Sequence, residues 1–184
     1  MMDLRQLLMN IGEDLLEPIG YLPWGILAGV FALAVWKVIH RNRLSGVGND
    51  QKKVWVYFLC VIYGTVFLEL AFFYREPGSR TGVDLQILGT WGESAVSRAY
   101  FVENILLFIP FGILAPLAIF RFRRRVWCVT VGCLCSVCLE IMQLLTQRGY
   151  CQLDDVLTNT LGTWIGWEIW RFLRKFIEKR KIFR

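Results

Sequence analysis

Five apolar blocks, at residues 19–39, 54–74, 104–120, 126–147 and 156–172, are each long enough to cross a hydrocarbon layer of roughly 30 Å. A chain of 184 residues has no soluble core with room for five such blocks. Its hydrophobic fraction of 55% and mean hydropathy of +0.45 agree. Backbone N–H and C=O groups facing lipid must be met within the segment, so each block is predicted to be a helix. The fold class expected is all-α integral membrane, a five-transmembrane-helix bundle forming a single domain over 1–184. Residues 1–18 form an amphipathic start that carries Asp3, Glu13, Asp14 and Glu17. No basic region precedes an apolar stretch there, so a cleaved signal peptide is not expected.

The basic residues assign the sides. Lys37, Arg41, Arg43, Lys52 and Lys53 follow the first block, Arg121, Arg123, Arg124 and Arg125 follow the third, and seven Lys or Arg lie between Arg171 and Arg184. These are 16 of the 21 basic residues, and the alternate loops hold only Arg5, Arg75, Arg80, Arg98 and Arg148. Cytoplasmic loops collect Lys and Arg, so the expected orientation is N-out, C-in, with 173–184 a basic cytoplasmic tail. The same distribution explains the net charge of +6 without nucleic acid, for which no motif is present. Between spans two and three, residues 75–102 hold Pro77-Gly78, Gly89, Gly92 and a partly apolar stretch through Trp91. They read as an interfacial or re-entrant outer segment, or as a plain linker.

Most of the six cysteines lie inside the blocks, which is no disulfide framework. Cys135-Ser-Val-Cys138 has no second ligand pair and reads as small apolar packing. The lone histidine, His40, falls in a basic loop. No Ser-His-Asp triad, His-rich zinc site or phosphate-binding glycine loop is available. No metal site and no cofactor are expected.

Ionisable groups inside a membrane are costly and face protein or a wet cavity. At about 1.5 Å per residue, Glu69 and Glu140 each lie about 21–22 Å from the inner ends of their spans. Span three starts outside at Glu103-Asn104 and span five at Asp154-Asp155, with Asn159 one turn deeper and Arg148 in the turn before. Glu140, Gln143 and Gln147 share one helix face, as do Asp155, Asn159, Gly162 and Gly166. Gly162-x-x-x-Gly166 lets another helix approach closely, and Gly25-x-x-x-Gly29 marks span one the same way. The bland alternative is an interhelical lock of Glu140 with Gln143, a snorkelling Arg148, and carboxylates that only begin a helix. Glu168, three residues before Arg171, reads as a local ion pair.

Asn104-Ile-Leu-Leu-Phe-Ile-Pro-Phe-Gly112, Glu140-Ile-Met-Gln143, Arg148, Asp154-Asp155 and Asn159-Thr-Leu-Gly162 stand in an order that resembles the VanZ-like family. The resemblance covers about 60 residues across spans three to five, and spans one and two match it only in general character. It implies a protein of bacterial, mainly Gram-positive, envelopes, of a family associated with resistance to the glycopeptide teicoplanin. It carries over motif positions and no catalytic residues. Glu69, Glu103, Asn104, Glu140, Gln143, Arg148, Asp154, Asp155 and Asn159 are then candidates for binding an amphiphile. The partner is a membrane lipid, a lipid-linked cell-wall component or the lipoglycopeptide itself. A second reading is a membrane-embedded enzyme with Glu140, Asp154 or Asp155 as acid, base or cation holder. A third is a small transporter or scaffold. The residues leave these open, and the oligomeric state with them.

Overall fold

The computed structural model describes residues 9, 12, 16–39, 50–78, 82–87, 89 and 94–182. The expectations for most of the amphipathic start, and for His40, Arg41, Arg43, Arg80 and Trp91, fall outside the described residues.

The architecture is helical. α1 spans Glu17–Ile39 and α2 spans Asp50–Leu68, continuing into a π-helical turn at Glu69–Phe73. β1 (Val83–Asp84) precedes α3 (Ala95–Ala118), a 3₁₀ turn at Phe120–Arg123 and α4 (Arg125–Leu145). β2 (Cys151–Gln152) leads into α5 (Leu153–Ile182). Among the described residues, four stretches are long and apolar enough to cross a membrane: Pro18–Val38, Lys53–Phe73, Val96–Ala118 and Arg125–Leu145. Phe31, Val38, Val126 and Leu145 are exposed, whereas Ser136, Gln143, Asn159 and Thr163 are buried. That inverts a soluble core and suits a multi-pass membrane protein, because lipid solvates the apolar side chains and the polar ones must find protein partners.

α5 is not among the four apolar stretches. It contains Thr158, Asn159, Thr160 and Thr163, which lower its hydropathy, and all but Thr160 are buried against neighbouring helices. α3 and α5 make the most extensive helix pair and run in the same direction. The Asn104 side chain hydrogen-bonds Asp155 near one end. Beyond the other end of α3, the Phe122 carbonyl accepts from Trp167 Nε1 at 3.1 Å. Between them, glycines remove the side chains that would hold the backbones apart. A Cβ on Gly162 would run into the Ile105 carbonyl, one on Gly166 into the Ile109 carbonyl, and one on Gly112 would stand 2.8 Å from Trp167 N. The small-residue spacing in α5 is therefore a close-packing face. Gly25 and Gly29 seat α1 on α2 in the same manner, against Ile62 and Phe58.

Some boundaries follow from local chemistry. α3 begins nine residues before the apolar block at 104 because Ser94 caps it, its hydroxyl accepting from Ser97 N at 3.0 Å. α3 carries Pro110 and Pro116 within it. In the turn before Pro110, the Tyr63 hydroxyl of α2 donates to the Leu107 carbonyl at 3.0 Å. α5 runs ten residues past 172, with Glu168 paired to Arg171 at 3.3 Å and to Arg125 at 3.9 Å. Of the cysteines read as packing residues, Cys128 is buried in a cluster with Ala115, Trp167 and Trp170. Cys135 and Cys138 instead face outward from the bundle.

Candidate functional site

The end of α2, the start of α3, the end of α4 and the start of α5 meet on one side of the bundle. Glu140 is 2% exposed and its Oε2 accepts from Gln152 N at 3.0 Å. Gln143, on the same face of α4, donates from Nε2 to the Ala71 carbonyl at 2.6 Å. Across from them on α5, Asp155 and Asn159 are buried, and Asn159 Nδ2 donates to Ser136 Oγ at 2.8 Å. Ser136 lies one turn before Glu140 on α4, so two helical stripes, Ser136–Glu140–Gln143 and Asp155–Asn159–Thr163, face each other. Asn159 Oδ1 is buried with no hydrogen-bond partner among the described residues.

The cation of the cluster is not the expected one. Arg148 was the sequence's candidate partner for Glu140, Asp154 or Asp155. Its Nη1 instead donates to the carbonyls of Phe72, Phe73 and Arg75 at 3.0, 3.3 and 2.7 Å, and its guanidinium lies 4.8 Å from the Phe72 ring centre. The cause is the π-helical turn. It ends α2 and leaves carbonyls without helical donors, which gather around the one Nη1 of Arg148. A left-handed Gln147 (φ 57°) closes α4 and lets Arg148 N bond the Gln143 carbonyl at 2.8 Å, a Schellman-type end that sets Arg148 beside α2. The cation acting on Glu140 and Asp155 is Arg75, whose Nη1 also reaches Gln143 Oε1 at 3.5 Å. Gly149 makes the room, since a Cβ there would stand 2.7 Å from Arg75 Nη1.

Two residues of the segment after α2 pair with the strand that leads into α5. β1 pairs in parallel with β2, Val83 opposite Cys151 and Asp84 opposite Gln152, and Cys151 N donates to the Gly82 carbonyl at 2.9 Å. This pairing holds Gln152 N where Glu140 accepts from it. Burial and the carboxylates of Glu140 and Asp155 push the Cys151 thiol up from its ordinary value.

Of the nine candidates, Asn104, Glu140, Gln143, Asp155 and Asn159 are joined here by hydrogen bonds or facing stripes. Asp154 is buried beside Asp155, and Glu103 is half-buried next to Asn104. Glu69 is half-buried at the start of the π-turn, and it is the later carbonyls of that turn that reach α4. Sequence reasoning missed Ser136, though its spacing from Glu140 was readable, and Arg75, whose place depends on where α2 ends. Among the described residues no group of three or more His, Cys, Asp or Glu is placed to hold a metal ion. Arg148→Ala, which strands three carbonyls, is expected to cost about 2 kcal/mol, against little for the exposed Arg123→Ala. Detergent melting of the purified variants measures it, and equal melting temperatures would refute the clamp.

A bundle of helices long and apolar enough to cross a membrane, with carboxylates and amides buried together near one end, defines a multi-pass membrane protein with a buried polar cluster. The chain belongs to the VanZ/LLP1 family, whose model matches residues 54–174. It is similar to Protein VanZ of Enterococcus faecium, at 29% identity over 85 residues, 45% of this chain and 51% of that protein. The chain thus spans about half the length of the curated relative it matches. No solved structure matches it.

Proposed function

We propose that this is a cell-envelope protein of teicoplanin resistance, with five crossings and an N-out, C-in orientation, whose outer polar cluster binds the head of an amphiphile. The ligand class is a lipid headgroup, a lipid-linked wall component or a lipoglycopeptide. One observation carries the reading: Glu140, Asp155 and Asn159 are buried together in an apolar bundle, with the Asn159 Oδ1 acceptor unmet among the described residues. A lock made only for packing satisfies its members, and an unmet buried acceptor is what a ligand donor completes. The β1–β2 pair over the cluster makes entry depend on displacing the outer segment. The fifth crossing is supported by the course of α5 alongside α3, from Asn104 to Phe122, and the orientation by the loop charges.

Direct binding tests the ligand. The protein in nanodiscs should bind teicoplanin more tightly than teicoplanin stripped of its acyl chain, and Asn159→Ala should weaken that binding at least tenfold. Equal binding of both compounds, or none, rejects the amphiphile. The buried carboxylates Glu140 and Asp155 favour one second reading, acid–base chemistry on a lipid-linked substrate. Turnover of such a substrate by purified protein would select it. The orientation is read in a cysteine-free background. Cysteines placed at the exposed positions Gln86 and Arg123 should label from outside and only after permeabilisation, respectively. External labelling at Arg123 would invert the topology.

A further inference from the structure

The glycines of α1 bring it close to α2 along only part of their length. A Cβ on Gly25 would be 3.1 Å from the Ile62 carbonyl, and one on Gly29 would be 2.6 Å from the Phe58 ring. One turn further along α1, glycine gives way to Ala32, Leu33 and Trp36, and these face Val54, Tyr57 and Val61 of α2 across a crevice of about 330 Å³. That volume is at the lower end of the range for small-molecule sites, roughly 300–1,000 Å³. Every residue named on its walls is apolar or aromatic. Two cations flank it in the chain. Lys37 follows Trp36 in the last turn of α1, Lys53 precedes Val54, and both are exposed. α1 also lies outside the stretch 54–174 that defines the family, so the crevice does not follow from family membership.

We infer that the α1–α2 crevice is a binding site for an anionic phospholipid of the leaflet at this end of the bundle, with an acyl chain in the crevice and the phosphate on Lys37 and Lys53. An apolar wall offers a headgroup nothing, so the body of the ligand must be hydrocarbon. Lysines at the hydrocarbon boundary attract anionic headgroups, by about fivefold in affinity for each one near the surface. Trp36 and Tyr57 are side chains that favour this depth. The site is separate from the polar cluster and does not depend on the function proposed for it.

Trp36 makes the site measurable. In proteoliposomes, its emission is the difference between the wild type and Trp36→Phe. Lipids brominated on the acyl chain quench a tryptophan they touch. Brominated phosphatidylglycerol should reach half-quenching of Trp36 at a mole fraction at least fivefold below that of brominated phosphatidylcholine. Lys37→Gln/Lys53→Gln should abolish the difference while leaving quenching by phosphatidylcholine unchanged. Equal quenching by the two lipids in the wild type would overturn the site, as would a preference that survives the double substitution. Quenching by neither lipid, together with a dimer on sizing, would show that a second copy fills the crevice and would also overturn it. Native mass spectrometry of the wild type supplies an answer independent of how the variants fold. Retained phosphatidylglycerol in excess of phosphatidylcholine from an equimolar mixture supports the site, and equal retention refutes it.

Discussion

Replacing Gly166 with valine should leave little of the protein folded in the membrane. Gly166 faces α3 with no side chain between the backbones. A Cβ there would overlap the Ile109 carbonyl and stand 3.0 Å from Gly112 Cα. A backbone carbonyl cannot swing aside as a lysine end can, so the two helices must part. Parting them also loosens the polar stripe two turns back along α5, where Asn159 meets Ser136. Overpacking a close interior contact costs about 1–3 kcal/mol, and the branched valine adds bulk to a contact that alanine already violates. Gly166→Ala and Gly162→Ala should each fall in that range. Their sum should exceed the double mutant, because one separation of the helices relieves both clashes. Gly64→Ala is the control: nothing lies within 4 Å of a Cβ there, and alanine is about 1 kcal/mol the better helix former. Detergent melting and the monodisperse fraction on sizing report the outcome. If Gly166→Ala melts with Gly64→Ala, α3 and α5 do not touch as described.

On the role in teicoplanin resistance proposed above, Glu140→Gln should behave in the opposite way, keeping the fold and abolishing that resistance. The glutamine carbonyl can still accept from Gln152 N, so the contact holding the α4–α5 turn survives. Interhelical hydrogen bonds in membranes are worth only about 0.6–2 kcal/mol, and this exchange gives up part of one. The melting temperature should therefore stay close to that of the wild type, while susceptibility should match cells lacking the protein. Asp155→Asn is expected to show the same separation, less completely, since Asn104 can still pair with it. Glu140→Ala differs from both. It strands the Gln152 N–H, at a cost of about 1–3 kcal/mol, and should lose fold and function together. If resistance in all three variants follows only the amount of folded protein, the cluster is a lock and the function proposed for it is wrong.

The elements were legible because lipid imposes a simple rule. A lipid-exposed segment must be apolar and self-satisfied in hydrogen bonds, and four blocks carry that signature openly. α5 carries it weakly. Its threonines, asparagine and glycines are spent on neighbouring helices, and its place in the bundle rests on the course it takes along α3. The shared depth of Glu140, Gln143, Asp155, Asn104 and Asn159 was readable from their distances along the spans, since rise per residue is constant in a helix.

Which cation serves the carboxylates was not readable. Arg148 and Arg75 both stand on the same side in the chain. The choice between them turns on where α2 ends, and α2 ends in a π-turn that no periodicity announces. That turn presents carbonyls to Arg148, while Gly149 opens the space that Arg75 occupies. The parallel pairing of Val83–Asp84 with Cys151–Gln152 was equally hidden, because two-residue strands have no pattern of their own. By itself the sequence determined that the chain is a membrane bundle with a set of polar residues toward one end of its spans, through hydropathy and helical rise, both of which act along the chain. Only the tertiary structure decided which of those residues touch, which arginine faces them and what covers them, because these depend on side chains meeting across helices whose ends and crossings are set by packing.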